Sequence, residues 1–332
     1  MKTILDLKKH GILPRFYGMI GEPLIQTEEY IRTLFRSDNK EIEEAAIYLL
    51  DSGGKRLRPG LLLLSGHCGT YNEEKLIPMA AAVEIIHMAS LVHDDIVDDT
   101  PLRRGKPTIA KAKGKQTALL TGNFMLTKAL GAVLSMEDDT IRTIALKTAQ
   151  EMCRGEFSQL EARKTPDFSA EHYLLRVKRK TANLISAACA IGAHASGAEE
   201  ATICAMEKFG ENIGIAFQIT DDILDYTANT HQFGKAIGSD IIEGLATMPL
   251  ICAWQKGNEK EMMAELFRKG KDSEKAVKDL IALVEENEGT KEAAEIAASY
   301  IEDANECLSV IENKEIRDAF TEIADFIIAR KL

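Results

Sequence analysis

The sequence predicts an all-α protein, a single-domain bundle of helices spanning residues 1–332 around an apolar interior. Long segments carry apolar residues at i, i+3, i+4 and i+7, no run sustains strand alternation with hairpin turn chemistry, and only eight prolines interrupt 332 residues. Amphipathic periodicity places helices near 23–37, 39–51 and 57–69. A longer apolar run over 73–98 stops before Pro101, and further helices are expected near 115–135 and 139–163. The stretch "ANLISAACAIGAHASGA", which closes an expected helix over 169–196, is small or apolar almost all round, as in a helix enclosed by others. Helices near 199–227 and 246–256 flank "ANTHQFGKAIGSDIIEG", a glycine-punctuated loop of functional length. Beyond 258 the chain is amphipathic, charged outside, and reads as packing helices.

Composition narrows the function classes. The apolar content of 45% with 28% charged residues is that of a soluble globular protein with a sizeable core. A net charge of -11 argues against a nucleic-acid surface. The six cysteines are scattered, without C-x-x-C pairs or histidines at zinc spacing, and read as reduced residues of a cytoplasmic protein. Charges break the apolar residues of the N-terminus, so no signal peptide is expected. Charges such as Glu84 likewise leave no run of transmembrane length.

Against this background "LVHDDIVDDT" is anomalous, with Asp94, Asp95, Asp98 and Asp99 at the end of an apolar helix. Asp94 and Asp98 fall one turn apart on one face with Asp95 adjacent, near the negative end of the helix dipole, where anions are disfavoured by up to about 1 kcal/mol each. The pattern recurs in "FQITDDILDYT" as Asp221, Asp222 and Asp225. One D-D-x-x-D could be an acidic helix end in solvent; two copies with apolar flanks point to a hard cation. Mg2+ is commonly held by a few carboxylates plus substrate phosphates.

Cations accompany the carboxylates. "GGKRLRP" supplies Lys55, Arg56 and Arg58 at a loop-to-helix junction, where Gly53 and Gly54 permit close backbone approach to a phosphate. "LRRGKPT" adds Arg103, Arg104 and Lys106, and adjacent guanidinium forks suit a diphosphate. "VKRKTANL" contributes Lys178, Arg179 and Lys180, and Lys235 lies in the loop after the second acidic motif. Together these suggest two anionic groups, one bridged by metal and one held by cations alone.

These residues resemble the trans-isoprenyl diphosphate synthases, the polyprenyl synthetase family. "GGKRLRP", "EIIHMASLVHDDIVDDTPLRRGKPT", "GEFSQ", "KRKTA" and "FQITDDILD" stand in that family's order and approximate spacing. The first acidic segment is most similar to bacterial heptaprenyl-type enzymes. The resemblance implies an isoprenoid-synthase bundle with a central apolar cavity. Asp94, Asp95, Asp98, Asp221, Asp222 and Asp225 would bind Mg2+ around an allylic diphosphate gripped by Arg103, Lys180 and Lys235. Lys55, Arg58, His87 and Arg104 would hold isopentenyl diphosphate without metal, and Thr181 and Gln218 would line the cavity. The implied reaction is ionisation, condensation and proton elimination. A homodimer, or a heterodimer with a small subunit, is the implied assembly.

Product length in this resemblance depends on the residues before Asp94. Ala89 and Ser90 stand where short-chain enzymes commonly carry aromatics, with Ile86, Ile85 and Val83 a turn deeper. An all-trans product longer than farnesyl, hexa- to octaprenyl, is expected; a farnesyl or geranylgeranyl synthase, a class I terpene cyclase and a partner-dependent subunit are the alternatives. Two positions depart from the family pattern: Leu245 where lysine is frequent, and Asn123 where aspartate is usual.

Overall fold

A computed structural model describes residues 15–227 and 237–329, and these form two compact units. The first unit spans Met1–Leu146, Ala187–Glu207 and Val310–Glu322, and the second Lys147–Ser186, Lys208–Ser309 and Ile323–Leu332, each characterised through its described residues.

In the first unit, helices α1 (Arg15–Leu34), α2 (Lys40–Leu50), α3 (Leu57–Ser65) and α4 (Glu73–Val97) precede a two-residue hairpin, β1 (Leu102–Arg103) and β2 (Lys106–Pro107), and then α5 (Ile109–Lys113) and α6 (Lys115–Leu134). Side chains at the entries explain several starts. Asn39 accepts from the amides of Glu41 and Ile42, Asn72 from Lys75, and Thr108 from Lys111, satisfying donors that a helix leaves unpaired. Arg104 and Gly105 both take positive φ, 54° and 75°, between strands paired Leu102 to Pro107 and Arg103 to Lys106. That handedness suits a tight hairpin turn. The helix α4 packs mainly on α6, with α1 and α3 also against it, and its Met79–Ile85 segment is buried throughout. Gly192 lets a later helix approach α3 so closely that a Cβ there would lie 2.1 Å from the Leu62 carbonyl.

Continuing along the chain are α7 (Asp139–Lys164), α8 (Ala170–Val177), a π-helical turn at Lys178–Ala182, α9 (Asn183–Ala195) and α10 (Glu200–Thr227). Short α11 (Ser239–Glu243) is followed by α12 (Met248–Lys256), α13 (Lys260–Lys269), α14 (Glu274–Glu286), α15 (Gly289–Cys307) and α16 (Lys314–Ile328). The second unit's core gathers Tyr173, Ile219, Ile223, Leu250, Phe267 and Leu280 with their neighbours.

The all-α reading holds, and three details differ from it. The first described helix covers Arg15–Leu34 and carries Pro23 inside it, and the expected helix over 57–69 ends at Ser65 in a 3-10 turn. The expected helix over 169–196 is interrupted by the π turn. Among the described residues two helices, α4 and α6, are long and apolar enough to cross a membrane by length and composition, contrary to the expectation that no run reaches that length. Glu84 is a single charge in the apolar run of α4 and pairs with Arg56 inside the first unit. The most apolar window of α4 is 61% buried there, as in a core helix, and that of α6 39%.

Candidate active site

Each unit assembles one acidic motif with its own cations. In the first, α4 carries His87, Asp94 and Asp95, and Asp98 caps its end, donating its amide to the Asp94 carbonyl. The chain then reverses through Asp99 at φ 51°, with the Thr100 amide returning to the Asp95 carbonyl, a Schellman-type closure. Asp99, which had no role by sequence, forms an exposed ion pair with Lys115 at 2.7 Å. Lys115's hydrogen bond holds the Asp99 carboxyl below its usual range.

Asp95 is only 4% exposed. Burial pushes its pKa up, the charges of Asp94 and Asp98 add to this, and Arg103 opposes it. Arg103 donates from Nε at 2.9 Å and lies 2.7 Å away through Nη2, both on Oδ1. The hairpin delivering Arg103 and Arg104 is tied down by Tyr48, whose hydroxyl donates to the Pro107 carbonyl at 2.8 Å, and by Thr108, bonded to the Thr100 carbonyl at 2.8 Å.

The "GGKRLRP" loop meets the same cluster. Gly54, at φ 156°, leaves room for Arg104: a Cβ there would lie 2.9 Å from Nη1. Arg56 turns inward, donating to Glu28 at 2.7 Å, Glu84 at 2.8 Å and the Leu50 carbonyl at 2.8 Å. Lys55 and Arg58 flank it at the start of α3, whose positive dipole end favours an anion. Burial and the charge of Arg56 lower the pKa of Arg104. Such like-charge crowding is relieved by a bound anion. Gly54→Ala should therefore displace Arg104 and weaken diphosphate binding about tenfold while leaving the fold intact, as measured by titration calorimetry and thermal melting.

Burial first, then Arg58 and Arg104, hold the half-buried His87 well below the ordinary imidazole pKa, so it is neutral near pH 7. An unfolded His87 takes up a proton as the pH falls through about 6.5 while the folded one does not, so stability is lost on acidification. Comparing melting temperatures at pH 7.5 and 5.5, His87→Gln should show a smaller loss than the parent protein.

In the second unit the π turn carries Lys180 and Thr181. Gly155 and Gly214 admit it: Cβ atoms at these positions would lie 2.8 Å from the Lys180 amide nitrogen and 2.6 Å from the Ala182 Cα. Such π turns are frequent at functional sites. Lys180 pairs with Glu156 at 2.6 Å. Thr181 donates to Gln218 at 2.9 Å, Gln218 to Asp222 at 2.8 Å, and the Tyr173 hydroxyl to the other Asp222 oxygen at 2.6 Å. Burial raises the Asp222 pKa to about 7, against those two hydrogen bonds and with the Asp221 charge adding to the rise. Asp225 caps α11, accepting from the amides of Ser239 and Asp240 and from the Ser239 hydroxyl. Asp221 is half-buried. Lys235 lies outside the described residues.

Sequence reasoning missed Glu28, Tyr48, Tyr173 and Glu156. Glu156 stood in the quoted "GEFSQ" without a role, and Glu84 showed as a lone charge within "AAAVEIIHMA". Among the described residues no three His, Cys, Asp or Glu side chains converge to hold a metal by themselves. The donor chemistry nevertheless fits a hard cation: the acidic motif supplies oxygen ligands, and Asp95 is nearly buried beside the Arg103 cation rather than facing solvent. Of the two departures from the family pattern, Leu245 is buried in the second unit and Asn123 is exposed on α6.

Comparison with known proteins agrees with these motifs. The family profile described as Polyprenyl synthetase matches residues 39–284. The heptaprenyl diphosphate synthase component 2 of Geobacillus stearothermophilus is 35% identical over 315 residues, covering 95% of this chain and 98% of that protein. The crystal structure of heptaprenyl diphosphate synthase from Staphylococcus aureus superposes with a TM-score of 0.89 at 31% identity, covering 94% of this chain and 99% of the other. A polyprenyl synthase from Caulobacter crescentus, crystallised with calcium and isoprenyl diphosphate, also gives 0.89 at 31% identity, covering 96% and 98%. The chain belongs to the polyprenyl synthetase family and is a trans-prenyl diphosphate synthase, similar to heptaprenyl diphosphate synthases among others.

Proposed function

We propose that the protein condenses isopentenyl diphosphate with an allylic diphosphate (geranyl, farnesyl or geranylgeranyl) to give an all-trans polyprenyl diphosphate of hexa- to octaprenyl length. The observation that carries this is the recurrence of D-D-x-x-D at Asp94 and Asp221, each with cations in its own unit. Asp94, Asp95, Asp98, Asp221, Asp222 and Asp225 would hold Mg2+, which when bound neutralises charge on the departing diphosphate. Arg103, Lys180 and Lys235 grip that diphosphate and favour its departure as its negative charge grows. The Asp95 carboxylate would release Arg103 to it.

Lys55, Arg58, Arg104 and neutral His87 orient isopentenyl diphosphate, whose double bond attacks the allylic carbon as its bond to oxygen breaks. The departing diphosphate takes the proton then lost, so the chain needs no strong base. Thr181 and Gln218 hold the second motif in place through Asp222. Ala89, Ser90 and Ile86 would bound the growing product. In the described structure Ala89 is fully buried and the Ser90 hydroxyl turns back to the His87 carbonyl. The test is incorporation of labelled isopentenyl diphosphate by the purified chain: farnesyl diphosphate and Mg2+ should both be required, and EDTA should abolish turnover. Incorporation surviving EDTA contradicts the reading.

The working assembly in this reading is a cytoplasmic homodimer. Leu119, Leu120, Leu130 and Leu134 lie exposed along one stripe of α6, an apolar surface of the kind a partner covers. Leu130→Glu with Leu134→Glu should convert dimer to monomer in analytical ultracentrifugation with little change in monomer stability. The relatives named component 2 favour a second reading, in which a small subunit covers that stripe. Inactivity of the purified chain, restored by such a subunit, would select it.

A further inference from the structure

We propose that Glu84 is a positioning residue for isopentenyl diphosphate, acting through Arg56, so that a buried triad of Glu28, Arg56 and Glu84 sets the shape of the metal-free diphosphate subsite. This rests on the assignment of Lys55, Arg58, His87 and Arg104 to that substrate.

Arg56 stands in sequence among the loop's cations, yet its side chain is 3% exposed and that of Glu84 4%. Its backbone is left-handed at φ 49°, ψ 39°, a conformation that a non-glycine residue keeps only where its surroundings impose it. Here the imposing contacts are two carboxylates and a carbonyl, one for each guanidinium nitrogen. Burial works against the charge of Arg56, and Glu84 and Glu28 outweigh it. Fixing Arg56 fixes the directions in which Lys55 and Arg58 leave the chain, while the Tyr17 hydroxyl holds the Lys55 carbonyl. Because Glu84 lies one helical turn before His87, the same bond registers the loop against the helix that carries the imidazole. Arg104 packs on Gly54 beside Arg56 and feels the Glu84 charge.

The charge of Glu84 gives the proposal its discriminating sign. A carboxylate among these cations weakens attraction for a diphosphate, so losing its charge alone would tighten binding. Losing its positioning bond loosens binding. Calorimetric titration of the full chain with isopentenyl diphosphate in EDTA should show Glu84→Gln binding about tenfold more weakly. The KM for the allylic substrate should stay within about twofold, a split that general destabilisation does not produce. Adding Glu84→Gln to Arg56→Met should weaken binding no further, since both break one contact. Glu28→Gln, at the more exposed end of the triad, should weaken binding about threefold and decides the matter if Glu84→Gln does not fold.

Unchanged or tighter binding in the folded variant overturns the proposal. Arg58→Met separates the two levels. If it leaves isopentenyl affinity unchanged, the substrate assignment itself fails; if it weakens binding and Glu84→Gln does not, only the positioning role fails.

Discussion

Asp94→Ala should lower kcat for isopentenyl condensation about a thousandfold, equivalent to about 4 kcal/mol of lost transition-state stabilisation. Asp94 sits on the last turn of α4, one turn before Asp98, and provides carboxylate oxygen of the kind a hard cation prefers. The fold should survive, because the core of α4 lies in the preceding turns. Asp99→Asn is the matched control. It removes the fourth charge of the same segment, keeps a residue type that tolerates positive φ, and breaks only an exposed pair with Lys115. Its kcat should stay within about twofold. Equal losses in the two variants would mean that the segment acts through bulk negative charge rather than through the D-D-x-x-D positions.

Ala89→Phe should shorten the product, moving the main species from hexa- to octaprenyl length toward farnesyl or geranylgeranyl. Ala89 is fully buried five residues before Asp94, so a phenyl ring there must displace buried neighbours and, in the proposed reading, closes off space for the growing product. Overpacking of this kind costs about 1–3 kcal/mol and should appear as a lower melting temperature. The product distribution separates the two roles open to a small residue here. An alanine that only lets helices pack closely would give a less stable enzyme with an unchanged product. An alanine at the cavity floor gives a shorter one, and sizing the dephosphorylated products by chromatography decides between them.

The helices were legible because their apolar periodicity is local. Where the reading slipped, the cause was not local. Pro23 resembles a helix start in sequence, but Phe16 and Ile20 extend the buried face of α1 a full two turns before it. The π turn at Lys178–Ala182 has no signature in "KRKTA", since the glycines against its backbone, Gly155 and Gly214, lie more than twenty residues away on either side. Both acidic motifs were visible as repeats. Arg103 and Gln218, which bond Asp95 and Asp222, were named from the sequence, but Tyr173, 49 residues from Asp222, and Ser239, 14 from Asp225, were not. Glu84 was visible only as an interruption of an apolar run. Its meaning came from Arg56, 28 residues earlier, whose side chain the sequence placed with the phosphate-binding cations and the structure turns into the protein.

Sizing the products of the unmodified protein distinguishes repeated addition of isopentenyl units from a single condensation or none. Purified protein with farnesyl diphosphate, excess isopentenyl diphosphate and Mg2+ should yield all-trans products of hexa- to octaprenyl length, and nothing when isopentenyl diphosphate is omitted. A hydrocarbon formed from the allylic substrate alone, or geranylgeranyl diphosphate as the sole end product, would contradict repeated addition.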